Sequence, residues 1–195
     1  MRCLRSLYNR KLTGVRSSGA AYAGTAKCVD ALLDAGANAA HISAFGGTTL
    51  IGACANMTVD SAFLGTLVKA GAIDVNKRRV PRTRKAKVLL YAFESSVRRG
   101  VLKSEFALDM AHTRHATALH QAAQVGNTAA VVYLLSNGAR PSIHAKNAMR
   151  CTPLDVARVF GPFPELEMAL VREEARVAFE TRFHGVLADG TLVRK

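Results

Sequence analysis

Apolar residues recur along this chain in short bursts at helical spacing. The clearest burst is Leu119, Ala122 and Ala123, at i, i+3 and i+4, which predicts one apolar face of a short helix. Val131, Leu134 and Leu135 repeat that spacing and predict a second helix. Gly126 and Asn127 lie between the two, where a left-handed turn suits glycine. Gly138 is expected to end the second helix, and Pro141 keeps it from resuming. A two-helix unit this small cannot bury its own apolar face, so it must stack on neighbours of the same kind.

The same text returns at a near-constant interval. Thr117-Ala118-Leu119-His120-Gln121-Ala122-Ala123 is followed 35 residues on by Thr152-Pro153-Leu154-Asp155-Val156-Ala157, with Gly161 in the place of Gly126. Upstream, Thr48-Thr49-Leu50-Ile51-Gly52-Ala53 leads to Leu67-Val68 and Gly71-Ala72, and Leu32-Leu33 with Gly36-Ala37 copies that ending. A threonine at each start gives Thr13, Thr48, Thr83, Thr117 and Thr152, at intervals of 35, 35, 34 and 35. The unit from Thr83 is the poorest. Val88 and Leu89 fall on its two alanine positions, Gly100 on a leucine and Ser104 on the glycine.

These residues resemble the ankyrin repeat family, with its T-P-L-H-like start, paired alanines, a glycine between two short helices, paired leucines and a closing G-A. The resemblance covers roughly Lys27 to Arg172 and is most specific in the units opening at Thr48, Thr117 and Thr152. The last unit carries Asp155 where the family has His, and Arg158 where it has a second Ala. The Thr48 unit lacks the His and holds about two extra residues. The resemblance implies an all-α solenoid of about five stacked helix-turn-helix units. A basic segment or degenerate first repeat would occupy 1–26, the repeat domain 27–172, and a cap and tail 173–195. It also implies scaffold roles for Thr117, Leu119, His120, Ala122, Ala123, Gly126, Leu134, Leu135, Gly138, Thr152, Pro153 and Leu154. His120 would hydrogen-bond between repeats together with Thr117. Such a stack is a non-enzymatic surface for protein partners, binding through its concave face and projecting loops. Here those loops are expected near Asn38 to Phe45, Ile73 to Arg82, Glu105 to Arg114 and Arg140 to Arg150.

Composition narrows the picture. At 195 residues there is room for one domain or two very small ones. A hydrophobic share of 49% with 21% charged residues is too apolar for a disordered tail. There are 33 alanines and no tryptophan, which suits helices packed close together. No apolar run approaches the roughly 18 residues of a membrane span, the longest clear one being Ala129 to Leu135. Cys3, Cys28, Cys54 and Cys151 lie far apart without a CxxC pair, which argues against a zinc ribbon or disulfide scaffold and fits a reducing compartment.

Catalytic motifs find no support. Gly46-Gly47-Thr48-Thr49 lacks the lysine and spacing of a phosphate-binding loop, and no GxGxxG or GxSxG occurs. His112, His115 and His120 fall within nine residues, but only Asp109 stands near as a further ligand. The expectation is a structural or solvated role, with no metal and no cofactor. Cys54 and Cys151 fall near helix starts, where a thiol can become reactive, although cysteine is also a common small core residue.

Charge is the unusual property. The formal net charge is +13. Residues 1–29 hold six basic residues and no acid. Residues 77–103 hold ten against Glu94 alone, leaving the rest slightly acidic. The dense part is Lys77-Arg78-Arg79-Val80-Pro81-Arg82-Thr83-Arg84-Lys85-Ala86-Lys87, expected as a projecting loop running into a helix. An acidic protein surface, a nuclear import receptor or nucleic-acid phosphates would each suit it, and the remaining alternative is a solvated basic loop with no specific partner. Tyr91 and Phe93 read as core, which weakens the nucleic-acid reading. The candidate partner contacts are Lys77, Arg78, Arg79, Arg82, Arg84, Lys85 and Lys87, with His41, Arg114, Arg140 and His144 on the other loops. A nuclear regulatory role, or service as the interaction domain of a longer enzyme, is the alternative. A cytoplasmic or nuclear location is expected, and the Arg- and Ser-rich N-terminus also resembles a mitochondrial transit peptide. At the other end, Asp189-Gly190 between apolar residues predicts a short hairpin, and Glu165, Glu167, Glu173, Glu174 and Glu180 suit a polar outer cap.

Overall fold

The threonines of the 35-residue series that fall among the described residues each start a helix. The computed structural model describes residues 30–186, apart from 32 and 72, and residues 192–194. Thr13, the basic N-terminal segment and the Asp189-Gly190 turn therefore lie outside the described residues. Thr48 Oγ1 accepts from the Ile51 amide at 3.2 Å and opens helix α1 (Thr49–Cys54). Thr83 Oγ1 accepts from the Ala86 amide at 3.2 Å and opens α3 (Arg84–Arg98). Thr117 opens α5 (Ala118–Gln124), and Thr152 exchanges bonds with Asp155 at the start of α7 (Pro153–Phe160). A hydroxyl there satisfies an amide that the helix leaves unpaired. Each returns through a second helix: α2 (Ser61–Gly71), α4 (Glu105–Thr113), α6 (Thr128–Ser136) and α8 (Pro164–Arg182). Helix α8 runs unbroken across Arg172. Strands β1 (Phe183–Val186) and β2 (Leu192–Arg194) pair antiparallel, Phe183 opposite Arg194.

The packing of these pairs departs from the sequence expectation. Helix α1 packs directly on α5 and α5 on α7, while α2 packs on α6 and α6 on α8. The pair opened by Thr83 is not between them. Helices α3 and α4 pack chiefly on each other. The central apolar cluster runs from Leu50, Leu64 and Leu67 through Leu119, Ala122 and Leu134 to Leu154, Leu166 and Leu170, and contains no side chain of α3 or α4. The expected third stacked unit is thus an insertion between the Thr48 and Thr117 units.

Two observations explain why. The inner helices of the stack hold 6, 7 and 8 residues, whereas α3 holds 15. Its buried residues, Ala86, Leu90 and Glu94, form one narrow i, i+4, i+8 stripe. Val88 and Leu89, standing where the other units carry small packing alanines, are 70% and 46% exposed.

Across the insertion the stack is continuous. The Arg79 amide donates to the Ala116 carbonyl at 2.8 Å, and the His115 amide donates to the Arg79 carbonyl at 2.8 Å. The Arg82 amide still donates to the Ala44 carbonyl at 2.9 Å, so the chain leaves the stack only after Arg82 and returns beside Arg79. Asn127 then ties the two flanking units together. Its Nδ2 donates to the Asn56 and Val59 carbonyls, both at 3.0 Å, and its Oδ1 caps α6 by accepting from Ala130 at 2.9 Å. Asn76 adds a second link, donating to the Gly138 carbonyl at 2.8 Å and accepting from Ser142 Oγ at 2.6 Å.

Candidate functional site

The inserted hairpin lies over the inner helices rather than projecting freely. On α4, Asp109 accepts from Gln124 of α5. His112 packs edge-on against Phe160 of α7, ring centres 5.3 Å apart, and Asn147 Nδ2 reaches its Nδ1 at 3.1 Å. Arg98 at the far end of α3 donates to the Ala148 carbonyl. A cleft of about 520 Å³ remains, lined by Phe106, Leu108 and Asp109 of α4 and by Gln124, Val159 and Phe160 below. Part of the concave face, expected to be open, is therefore covered by the chain itself. Glu105 to Arg114, expected as a projecting loop, is helix α4 and its C-cap.

The basic run splits by environment. Lys77, Arg78, Arg82, Arg84, Lys85 and Lys87 are exposed. Arg79 is not: it is half-buried, its Nε is shielded from water, and burial lowers its pKa to about 10, against the pull of Asp109. Burial in turn raises the Asp109 carboxyl, while Arg79 and Gln124 draw it down. Arg79 therefore anchors the base of the hairpin, unlike its exposed neighbours Arg78 and Arg82. Pro81 is buried, and the Val80 backbone sits so close to Gly46 (φ +79) that a Cβ there would collide with the Val80 carbonyl.

Two of the outer contacts expected on other loops, Arg114 and Arg140, take internal partners. Arg114 grips the buried Glu94 with two bonds of 2.6 Å, from Nε and Nη2, and this bond raises the Arg114 pKa. Arg140 pairs with Glu173 at 2.6 Å and Glu180 at 3.5 Å. His41 is half-buried and His144 exposed.

On the exposed side of the hairpin, charge alternates with apolar surface. Tyr91 is 63% exposed, so it is not the core residue its sequence context suggests. Phe106, Val101 and Leu102 are exposed with Val88 and Leu89. Phe93 and Phe106 meet edge-on at 5.6 Å, joining α3 to α4.

Most of the scaffold positions lie inside the stack, while Gly138 is exposed. Thr117, Leu119, His120, Ala122, Ala123 and Leu134 are buried, as are Pro153 and Leu154, while Leu135 is half-buried and packed against the core. Gly126 (φ 74) and Gly138 (φ 95) take left-handed turns. His120 Nδ1 lies 3.0 Å from Thr117 Oγ1, and its Nε2 lies 3.1 Å from the Cys151 carbonyl, bridging two units. Burial lowers its pKa to about 4. His112 and His115 are lowered too, mainly by burial. The Cys54 thiol is buried and pushed up to about 12, so the reactive-thiol reading fails there. Burial and Asp155 raise Cys151 as well. Among the described residues, no three metal-ligating side chains converge, and no helix is long and apolar enough to cross a membrane.

The ankyrin repeat family model matches residues 114–148, beginning where the hairpin hands the chain back to the stack. No curated protein matches the chain.

Proposed function

We propose that this ankyrin-repeat protein is a non-enzymatic interaction module whose basic inserted hairpin receives an acidic partner. Ankyrin repeats generally bind proteins. In this reading the repeats open at Thr48, Thr117 and Thr152, residues 30–37 close an earlier one, and the paired C-terminal strands cap the far end. The single observation that carries the reading is the exposed basic surface on the hairpin's first helix and on the loop that leads into it. Six basic side chains from Lys77 to Lys87 stand in water, and the nearby Glu94 is already neutralised by Arg114. Unpaired like charges repel one another, so the cluster favours an anionic partner and accelerates encounter with it. The anchors below it hold the hairpin in one place, which limits the entropy lost on binding. Neutralising Arg78, Arg82, Arg84, Lys85 and Lys87 together should weaken partner binding and flatten its salt dependence while leaving the circular dichroism spectrum unchanged. Unchanged affinity would remove the cluster from the mechanism.

One observation favours a second reading. Arg84, Lys87, Tyr91 and Arg98 share one face of α3, and Tyr91 is exposed. Basic side chains around an exposed ring suit single-stranded nucleic acid. Tight, salt-sensitive binding of an RNA oligonucleotide that is lost in Tyr91→Ala would support it. Binding indifferent to that substitution would not.

A further inference from the structure

Helix α3 uses only a narrow stripe to hold on to its neighbours, which leaves a second apolar strip in water. Leu89 and Phe93 lie one turn apart on α3. Phe93 meets Phe106 of α4 edge-on. The turn between the helices folds back so that the Leu102 amide reaches the Ser96 carbonyl at 3.4 Å. Leu89, Leu102 and Phe106 are 46%, 39% and 63% exposed. Lys85 stands one turn before Leu89, and Arg99 and Lys103 are exposed at the other end. The strip is therefore apolar along its length and basic at both ends.

We infer that this strip, with Lys85 and Arg99 at its ends, is a docking site for an acidic amphipathic helix of a partner protein. The inference rests on the acidic-partner reading and places it. Part of the concave face is already occupied, because α4 lies on α5 and α7 through Gln124 and Phe160. A second copy is disfavoured by charge, since two such faces would bring Lys85, Arg99 and Lys103 against their own kind. A helix with leucines on one face and glutamates beside them satisfies both features at once. Its apolar face covers Leu89, Phe93 and Phe106, and its carboxylates meet the basic ends. Specificity then lies in the order of the partner's residues and not in its net charge alone.

The test uses the full chain and two fluorescein-labelled peptides of identical composition, built from Glu, Leu and Ala. One is ordered as an amphipathic helix and the other is scrambled. Phosphatidylserine vesicles form a third arm. Fluorescence anisotropy at two salt concentrations should show the ordered peptide binding at least about tenfold tighter than the scrambled one. The double variant Leu89→Ser, Phe106→Ser changes two exposed positions, and its circular dichroism is checked first. It should erase that preference while keeping the salt-dependent residual binding. If the variant is misfolded, Leu89→Ser alone should reduce the preference. Equal binding of both peptides, unaffected by the serine variants but lost on neutralising the basic run, would overturn the docking strip and leave the acidic-partner reading standing. No peptide binding at all, or binding unaffected by either set of variants, would overturn both. Vesicle binding that exceeds peptide binding and is lost in the serine variant would make the occupant a lipid surface and likewise overturn the inference.

Discussion

Replacing Asn127 with Ala should destabilise the stack strongly, because this one side chain does three things. Its Oδ1 caps α6, and its Nδ2 donates to two carbonyls in the preceding stacked unit, 71 and 68 residues away. The residue is only 5% exposed, so water cannot replace those bonds in place. Loss of an N-cap costs about 1 kcal/mol. Each hydrogen bond contributes about 1 kcal/mol net, and more when a buried acceptor is left unsatisfied. The sum is about 2–4 kcal/mol. For a protein of this size the urea m-value is about 2 kcal/mol/M, so the midpoint should fall by about 1–2 M. Equilibrium urea unfolding followed by circular dichroism reads that directly. Asn127→Ser keeps a capping oxygen but loses both donors, so its midpoint should lie between wild type and Asn127→Ala. A loss below about 0.5 kcal/mol for Asn127→Ala would refute direct stacking of the Thr48 unit on the Thr117 unit, since that is what the long-range bonds express.

Other outcomes follow from the same geometry. Arg114→Met strands the buried Glu94 carboxylate and should cost the hairpin about 3 kcal/mol, with hydrogen exchange speeding up in α3 and α4 while α5 to α8 stay protected; uniform exchange across the chain would contradict this. His120, lowered to about 4 from an ordinary value near 6.5, disfavours protonation in the fold. Its contribution should be whole above pH 6.5 and fall by about 3 kcal/mol as the pH drops to 4, and stability profiles should flatten over that window in His120→Gln. Gly126→Ala puts a Cβ 2.5 Å from the Phe163 ring at a left-handed φ of 74, so the melting temperature should fall by several degrees, about 1–3 kcal/mol of stability.

The local signals were legible in the sequence. Thr48, Thr83, Thr117 and Thr152 are all real helix starts, because a cap depends on residues within one turn. Stacking was not legible at Thr83, because it depends on which faces meet across the chain. The warning was present all the same: Val88 and Leu89 stand where packing alanines belong, and no glycine breaks 84–98 into a short inner helix. The Lys77 to Lys87 run read as uniformly projecting, yet Arg79 turns inward toward Asp109, 30 residues on, a pairing that no local pattern encodes. Helix α4 has local signals, since Ser104 caps it and Ala107 and Ala111 lie one turn apart, but the repeat register predicts a loop there. Arg114 and Arg140 looked like free surface cations because Glu94 and Glu173 lie far from them in sequence.

The central claim is that a basic helical hairpin has been added to a stack that closes without it. Excision tests this most directly: residues 80–114 are replaced by an Asn-Gly turn between Arg79 and His115, which already hydrogen-bond to each other. Urea unfolding of this shortened chain should remain a single cooperative transition from a helical state, with lower stability because the cover over Gln124 and Phe160 is gone together with the bonds from Arg82 to Ala44 and from Ala148 to Arg114. A non-cooperative or unfolded product would mean that the pair opened by Thr83 holds the stack together, and would contradict the account.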